Sequence, residues 1–360
     1  MQVTYNYEFE KKLRAGFIGC GDHSYRNILP VFQYAPIDLT CVCDFDAARA
    51  QQFGRLFGAQ HTYLDFREML KTEDLDVVFI VTGYNESGQA TYPQLAAACL
   101  ENGVHVWIEK PPVNSLADVE LLRRAIRASG RKLAIGFKKM FFPANARMKS
   151  IIETQEFGQV RSISLRYPQY IPTVDELNAQ GPGRRVWFLD HLCHPVSILQ
   201  YLGGRIDALC YTRAENGAGF AMFNMRSGAT AVIHFSYGQA KTSILERTEV
   251  TGDGGNVIVE NNTRLTYYRR VSDAALRKYG RASDFTGNID DAPLVWEPEF
   301  SLGNLYNKGL FLLGYYNEIL YFCDAVLNDR EIEIGNIEDA DEGIRVYEAF
   351  KRGPNTWMKM

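Results

Sequence analysis

Through the first third of the chain, short uninterrupted apolar runs alternate with longer stretches whose apolar residues recur every three or four positions. The runs at 13–18, 37–43, 76–81, 104–108 and 132–136 predict buried strands. Between them, 24–34, 47–57, 91–102 and 116–129 predict helices. Gly103 follows the third of these, at the position where a left-handed residue is wanted. Strands alternating with helices of this length predict βαβ units and a doubly wound parallel sheet.

After Gly136 the periodicity changes. A helix over 143–153 precedes strand-like runs at 160–167, 206–212, 219–225, 229–235, 245–251, 256–259 and 264–269. Asn216-Gly217, Ser227-Gly228 and Asp253-Gly254-Gly255 supply hairpin chemistry between them. The fold class is therefore α/β followed by α+β, with residues 1–136 as the first domain. Residues 137–360 form the second, built on a large, mostly antiparallel sheet. Over 230–237 one face carries Ala231, Ile233, Phe235 and Tyr237, and the other carries Thr230, Val232, His234 and Ser236. Neither face is fully polar, which predicts helices on one side and a second subunit on the other, in a dimer or tetramer. Residues 270–303 show no periodicity and are expected to form a loop over the site or an arm to a neighbour. Helical patterns return at 310–327 and 337–351.

Composition narrows the function classes. In 360 residues, 46% are hydrophobic and 23% charged, which excludes disorder, collagen and coiled coil. A net charge of −4 without a basic stripe gives nucleic acid or an anionic membrane no electrostatic footing. The seven cysteines are scattered without a CxxC pair, as in a reducing compartment. Glu8 and Glu10 stand where a signal peptide needs apolar residues, and no apolar run is long enough to span a bilayer. A cytoplasmic protein is expected.

The first strand ends in Gly19-Cys20-Gly21-Asp22-His23-Ser24, a GxGxxG pattern with serine at the third glycine. The first glycine allows the tight turn, the second lets a pyrophosphate approach the backbone, and the third position needs only a small residue. Asp44 closes the next strand, where a carboxylate hydrogen-bonds the ribose diol of NAD and repels the 2′-phosphate of NADP. NAD is therefore expected over NADP. The blander alternatives are a glycine-rich turn and a loop-capping aspartate.

Two further segments carry chemistry. Glu109-Lys110-Pro111-Pro112 ends a strand of the parallel sheet, on the edge where such sheets bind ligands. The Lys110–Pro111 bond is a candidate for cis, and a surface lysine is the alternative. Asp190-His191-Leu192-Cys193-His194-Pro195 opens an apolar helical stretch. Asp190 and His194, four apart, share a helix face, so the carboxylate is expected to orient the imidazole as a general base. A zinc site and a helix-capping Asp190 beside a structural histidine are the alternatives.

Taken together, GFIGCGDHS, CDFD, HVWIEKPP, GFKKMFFP and DHLCHPVSIL resemble the glucose–fructose oxidoreductase/inositol dehydrogenase/MocA family over nearly the whole chain. The resemblance implies a Rossmann domain, an open-faced antiparallel sheet domain and NAD(P)-dependent oxidation of a sugar, polyol or glycoside. It maps the family's active-site lysine and D-x-x-x-H pair onto Lys110, Asp190 and His194. Dinucleotide contacts are expected from Gly19, Gly21, Asp22, His23, Ser24, Asp44, Thr82, Glu109 and Lys110. Substrate contacts are expected from Lys139, Arg184, Arg185, Trp187, His191 and Tyr316, with core packing an alternative for Tyr316 and no metal. The chain departs from the family at Ser24, at Thr82-Gly83, at about five residues inserted over 84–89, at Tyr92, at Lys138-Lys139-Met140 and over 183–187. A redox-assisted glycosidase that recycles its cofactor and a non-catalytic NAD sensor are the competing functions.

Overall fold

A six-stranded parallel sheet and a nine-stranded mixed sheet make up the computed structural model, which describes residues 6–269, 293–298 and 308–360. The first contains β1 (Leu13–Ile18), β2 (Ile37–Cys43), β3 (His61–Tyr63), β4 (Val77–Ile80), β5 (His105–Glu109) and β6 (Leu133–Gly136). Its order is β3-β2-β1-β4-β5-β6, so the crossover reverses between β1 and β4 and opens a crevice at their carboxyl ends. Helices α1 (Ala47–Phe57), α2 (Phe66–Thr72), α3 (Tyr92–Glu101) and α4 (Leu116–Ser129) complete the connections. Asp46, Asp65 and Ser115 start α1, α2 and α4 by accepting bonds from free backbone N–H groups. Layers on both faces bury β4 along its whole length, which is why it reads as a continuous apolar run.

The helix expected over 24–34 forms as a π-helical turn, Ser24–Ile28, running into a 3-10 segment, Leu29–Tyr34. Pro30 has no N–H with which to continue an α-helical ladder. β3 and α2 escape the pattern because both are short. β3 lies at the sheet edge and exposes His61 and Thr62, so it has no apolar run to show.

The second sheet follows α5 (Pro143–Ile152) and contains β7 (Ser162–Tyr167), β8 (Ile206–Arg213), β9 (Gly219–Met225), β10 (Thr230–Phe235), β11 (Arg247–Thr251), β12 (Asn256–Glu260), β13 (Arg264–Tyr268), β14 (Leu294–Trp296) and β15 (Met358–Lys359). β7 and β10 pair in parallel, and the other pairs among the described residues are antiparallel. Between β7 and β8 lie α6 (Val174–Asn178) and the 20-residue α7 (Arg184–Gly203). α7 starts well before the apolar stretch that predicted it, so Asp190 sits inside the helix. The helix-cap alternative for Asp190 is corrected accordingly.

Gly314 divides the helix expected over 310–327 into α8 (Lys308–Leu312) and α9 (Tyr315–Leu327). Its φ is +75°, and a Cβ there would lie 2.5 Å from the Lys138 carbonyl oxygen. α9 returns to the first sheet, where the Phe322 ring meets Phe79 edge-on at 5.7 Å. α10 (Ile337–Phe350) packs against α7 and α4. Most of the loop or arm expected over 270–303 lies outside the described residues. All seven cysteines are free. No helix among the described residues is long and apolar enough to cross a membrane.

Candidate active site

The glycine loop after β1 is locked from behind. Gly19 has φ +103°, and a Cβ there would stand 2.0 Å from the Val81 carbonyl oxygen, so only glycine fits. Ser24, buried at the third glycine's place, donates its hydroxyl to the Gly19 carbonyl at 2.6 Å. Asp44 accepts the Cys20 N–H at 2.7 Å through Oδ2 and the Asp46 N–H at 2.9 Å through Oδ1. It therefore caps the loop and also lines the cleft in front of it. That cleft measures about 840 Å³ and is walled by Gly19, Cys20, Gly21, Asp44, Phe45, Thr82 and Tyr84, among others. A Cβ on Gly21 would meet nothing within 4 Å, so its backbone face is uncovered. Asp22 lines a neighbouring groove with Tyr25 and Arg49.

A smaller cavity of about 160 Å³ adjoins the cleft and shares Val81, Thr82, Gly83 and Tyr84 with it. Its other walls include His23, Tyr92, Glu109, Lys110 and Asp190. The Lys110–Pro111 bond is cis, as expected. Lys110 Nζ donates to Asp190 Oδ1 at 2.9 Å, joining the first domain to the middle of α7. Burial alone would lower the Lys110 pKa, but Asp190 and Glu109 hold it above 10.5. Buried Glu109 accepts from His23 Nε2 and from the Lys110 N–H, both at 2.9 Å. Burial would raise its carboxyl, yet the His23 bond and the Lys110 and Lys138 charges leave it below 4.5.

His194 occupies a different position from the one expected. Asp190 takes its hydrogen bonds from Lys110 and from the Tyr84 hydroxyl at 2.8 Å, not from the imidazole one turn on. His194 is buried and its ring lies 6.3 Å from that of Tyr167. Burial, with Lys139, Lys110 and Lys138 nearby, pushes its pKa well below 6.5, so the ring is neutral. Tyr84 is the site residue that sequence reasoning missed. Its only signal was membership of the inserted segment.

A third cavity, of about 290 Å³, brings together Arg184, Trp187 and His191 with Gln169, Tyr170 and Tyr237. Trp187 and Tyr237 expose 68% and 53% of their surface, enough to offer ring faces to a ligand. His191 Nδ1 stands 3.4 Å from Asp190 Oδ2, which links this cavity to the smaller one. The remaining expected substrate residues are engaged elsewhere. Lys139 is buried in a pair with Glu246 and lies over the Tyr167 ring. Arg185 donates to the Ser87 and Gly181 carbonyls, whereas Arg184, at the third cavity, is also paired with Glu176. Tyr316 packs on Phe311 at 4.9 Å, against the core of the first sheet, which is its core alternative. Its neighbour Tyr315 is the one near the site, accepting from Lys138 Nζ at 2.6 Å and lying 5.8 Å from the His23 ring. No group of three or more His, Cys, Asp or Glu among the described residues could hold a metal ion.

Residues 13–137 match the model of the GFO/IDH/MocA oxidoreductase family's NAD-binding Rossmann fold, and residues 145–258 match that family's C-terminal domain. The chain is 26% identical to scyllo-inositol 2-dehydrogenase (NAD(+)) of Bacillus subtilis over 360 residues, covering 96% of each. Its fold resembles a dehydrogenase from Chromobacterium violaceum, with a TM-score of 0.77 at 20% identity, over 96% of both chains. It also resembles the WlbA dehydrogenase of Bordetella pertussis, solved with NADH and UDP-GlcNAcA. There the TM-score is 0.70 at 18% identity over 98% of both chains.

Proposed function

The chain belongs to the GFO/IDH/MocA oxidoreductases and binds NAD, and from that premise we propose that it moves a hydride between NAD and a ring hydroxyl or ketone of a sugar, polyol or glycoside. The observation that carries this reading is the Lys110–Asp190 pair in the cavity that opens off the dinucleotide cleft. The residues of the cleft suit a dinucleotide: an uncovered backbone at Gly21 for the pyrophosphate and Asp44 at the ribose end. NAD supplies the hydride acceptor. The protein supplies everything done to the hydroxyl proton.

Lys110 Nζ meets the substrate oxygen and, from a largely buried position, stabilises the alkoxide charge that develops there. Asp190 keeps that ammonium charged and aimed. Because Lys110 is charged and cannot take the hydroxyl proton, that proton passes to the His194 imidazole, kept neutral by its burial, as the hydride leaves. Residues 1–136 hold the cofactor and supply Lys110, and residues 137–360 complete the substrate site. The cavity beside Asp190 alone is smaller than the roughly 300 Å³ at which ligand pockets usually begin. The Trp187 cavity next to it extends the site to a second ring, which favours a glycoside. Phe220 and Met222 on the outer face of β9 are 47% and 39% exposed, in keeping with a second copy seated on that face.

Sugars, inositols, uronates and glycosides incubated with NAD or NADP, and read by reduced-nicotinamide absorbance, test the reading. Net NADH formation on at least one of them is expected. Glycoside cleavage without net NADH would replace it with the cofactor-recycling glycosidase. A monomeric mass by light scattering at micromolar concentration would remove the oligomer.

A further inference from the structure

Lys110 does not have Asp190 to itself. Asp190 Oδ1 accepts Lys110 Nζ at 2.9 Å and the Tyr84 hydroxyl at 2.8 Å. Tyr84 opens the inserted hairpin, which an antiparallel bridge to Ala90 closes. Within it the Asn85 side chain accepts the Ser87 and Gln89 N–H groups at 3.0 and 2.9 Å. Asn114 bonds both the N–H and the carbonyl of Ala90, at 2.7 and 2.9 Å. Arg185, in the first turn of α7, donates to the Ser87 carbonyl at 2.7 Å. Gly88 has φ +70°, and a Cβ on it would lie 2.9 Å from the Pro182 backbone. A hairpin of the first domain is thus fixed to the start of the helix that carries Asp190, and its tyrosine reaches the carboxylate.

We propose that Tyr84 is a positioning residue of the acid–base pair: by donating to the same oxygen as Lys110, its hydroxyl loosens the ammonium from Asp190 and frees Nζ to turn toward a substrate oxygen. The proposal rests on the reading of Lys110 as the group that meets that oxygen. A carboxylate oxygen shared between two donors holds each less tightly than it would hold one alone. A phenol suits the task, since burial and the Asp190 charge raise its pKa far above 10 and it stays a donor. The other groups facing Lys110 are His23 in the loop after β1, Cys193 and His194 on α7, Glu109 on β5, Lys138 beyond β6 and Tyr92 on α3. None of these donates to Asp190 Oδ1, so among the described residues Tyr84 alone competes with Lys110 for it.

The test needs no substrate. Wild type and Tyr84→Phe are acetylated with trace acetic anhydride at mildly alkaline pH. Labelling of the Lys110 peptide is read by mass spectrometry against exposed Lys71. Tyr84→Phe is expected to slow Lys110 labelling roughly fivefold, the ratio that one hydrogen bond carries. Asp190→Asn is expected to speed it. An unchanged rate in Tyr84→Phe overturns the proposal, and so does a faster one, the mark of a hairpin that has merely come loose. With any substrate the panel identifies, Tyr84→Phe is expected to lower kcat by a larger factor than it changes KM for NAD, since the ring that lines the cleft is kept. A panel without a substrate counts against the proposed function, and the labelling result still decides the role of Tyr84.

Discussion

Around the glycine loop, the polar contacts run to backbone atoms close in sequence: Ser24 to Gly19, five positions apart, and Asp44 to Cys20, 24 apart. Around the smaller cavity beside Lys110 they run between side chains 80, 86 and 106 positions apart, in Lys110–Asp190, His23–Glu109 and Tyr84–Asp190. The first region is built by chain geometry and accepts most side chains that keep that geometry. The second needs distant parts of the chain brought together, and its two bonds to Asp190 exist only once both domains are in place. A backbone defect should therefore empty the cleft, whereas a side-chain defect should silence the cavity and leave the cleft working.

The largest effect expected is that of Gly19→Ala. The left-handed backbone and the Val81 carbonyl 2.0 Å from the new Cβ both oppose it, and β1 and β4 cannot part without breaking the sheet. NADH affinity, followed by nicotinamide fluorescence, should fall by a hundredfold or more on the scale of a displaced loop. Near-normal binding would mean that the loop is softer than its contacts suggest, and the comparison would lose its first half.

Lys110→Met should do the opposite. NADH binding stays within a few-fold of wild type, while kcat on a panel substrate falls by roughly 10²-fold or more, the usual worth of a general acid–base group. Equal loss of binding and turnover would place Lys110 on the cofactor side. His194→Gln sharpens the same division. If the neutral imidazole accepts the hydroxyl proton, kcat falls comparably. If Asp190 and Lys110 suffice, the loss stays within about tenfold.

This division also explains what could be read along the chain. β1, β2, α1 and α4 follow from apolar runs, caps and glycines, all local signals, and their bounds appear in the sequence. Asp44 was legible because a carboxylate at the end of β2 has a fixed relation to the loop after β1. Lys110 was legible from its place on the strand edge. Its pairing with Asp190 was not, because helical spacing pointed Asp190 at His194 and nothing local announces a partner 80 positions away. Tyr84 lay in an insertion with no periodicity, and Tyr315 was passed over for Tyr316. Gly314 breaks the helix just before α9, and the tyrosine that then meets Lys138 is Tyr315, a contact 177 positions apart in the chain.

The smallest predicted effect lies where the two regions meet. Glu318, on α9 beneath the first sheet, is buried, and neither carboxyl oxygen has a hydrogen-bond partner among the described residues. Burial and the nearby Glu109 charge raise its pKa well above 4.5, against a smaller opposing effect of Lys138. The folded state therefore keeps a proton that the unfolded chain releases above about pH 4.5. Stability is full below that pH and is lost as pH rises toward the folded value, by at most about 1.4 kcal/mol per pH unit. Glu318→Gln keeps the shape, carries no titrating proton and so lacks this slope. Whatever its amide costs in a site without partners is a constant offset. Melting temperatures of the two proteins between pH 5 and pH 8 should therefore diverge in favour of Gln, by roughly 2–4 °C for each kcal/mol. A difference that stays flat across that range would mean that Glu318 is ionised in the folded protein. The Glu109–Lys138 side of the Lys110 cavity would then have a second buried negative charge to accommodate.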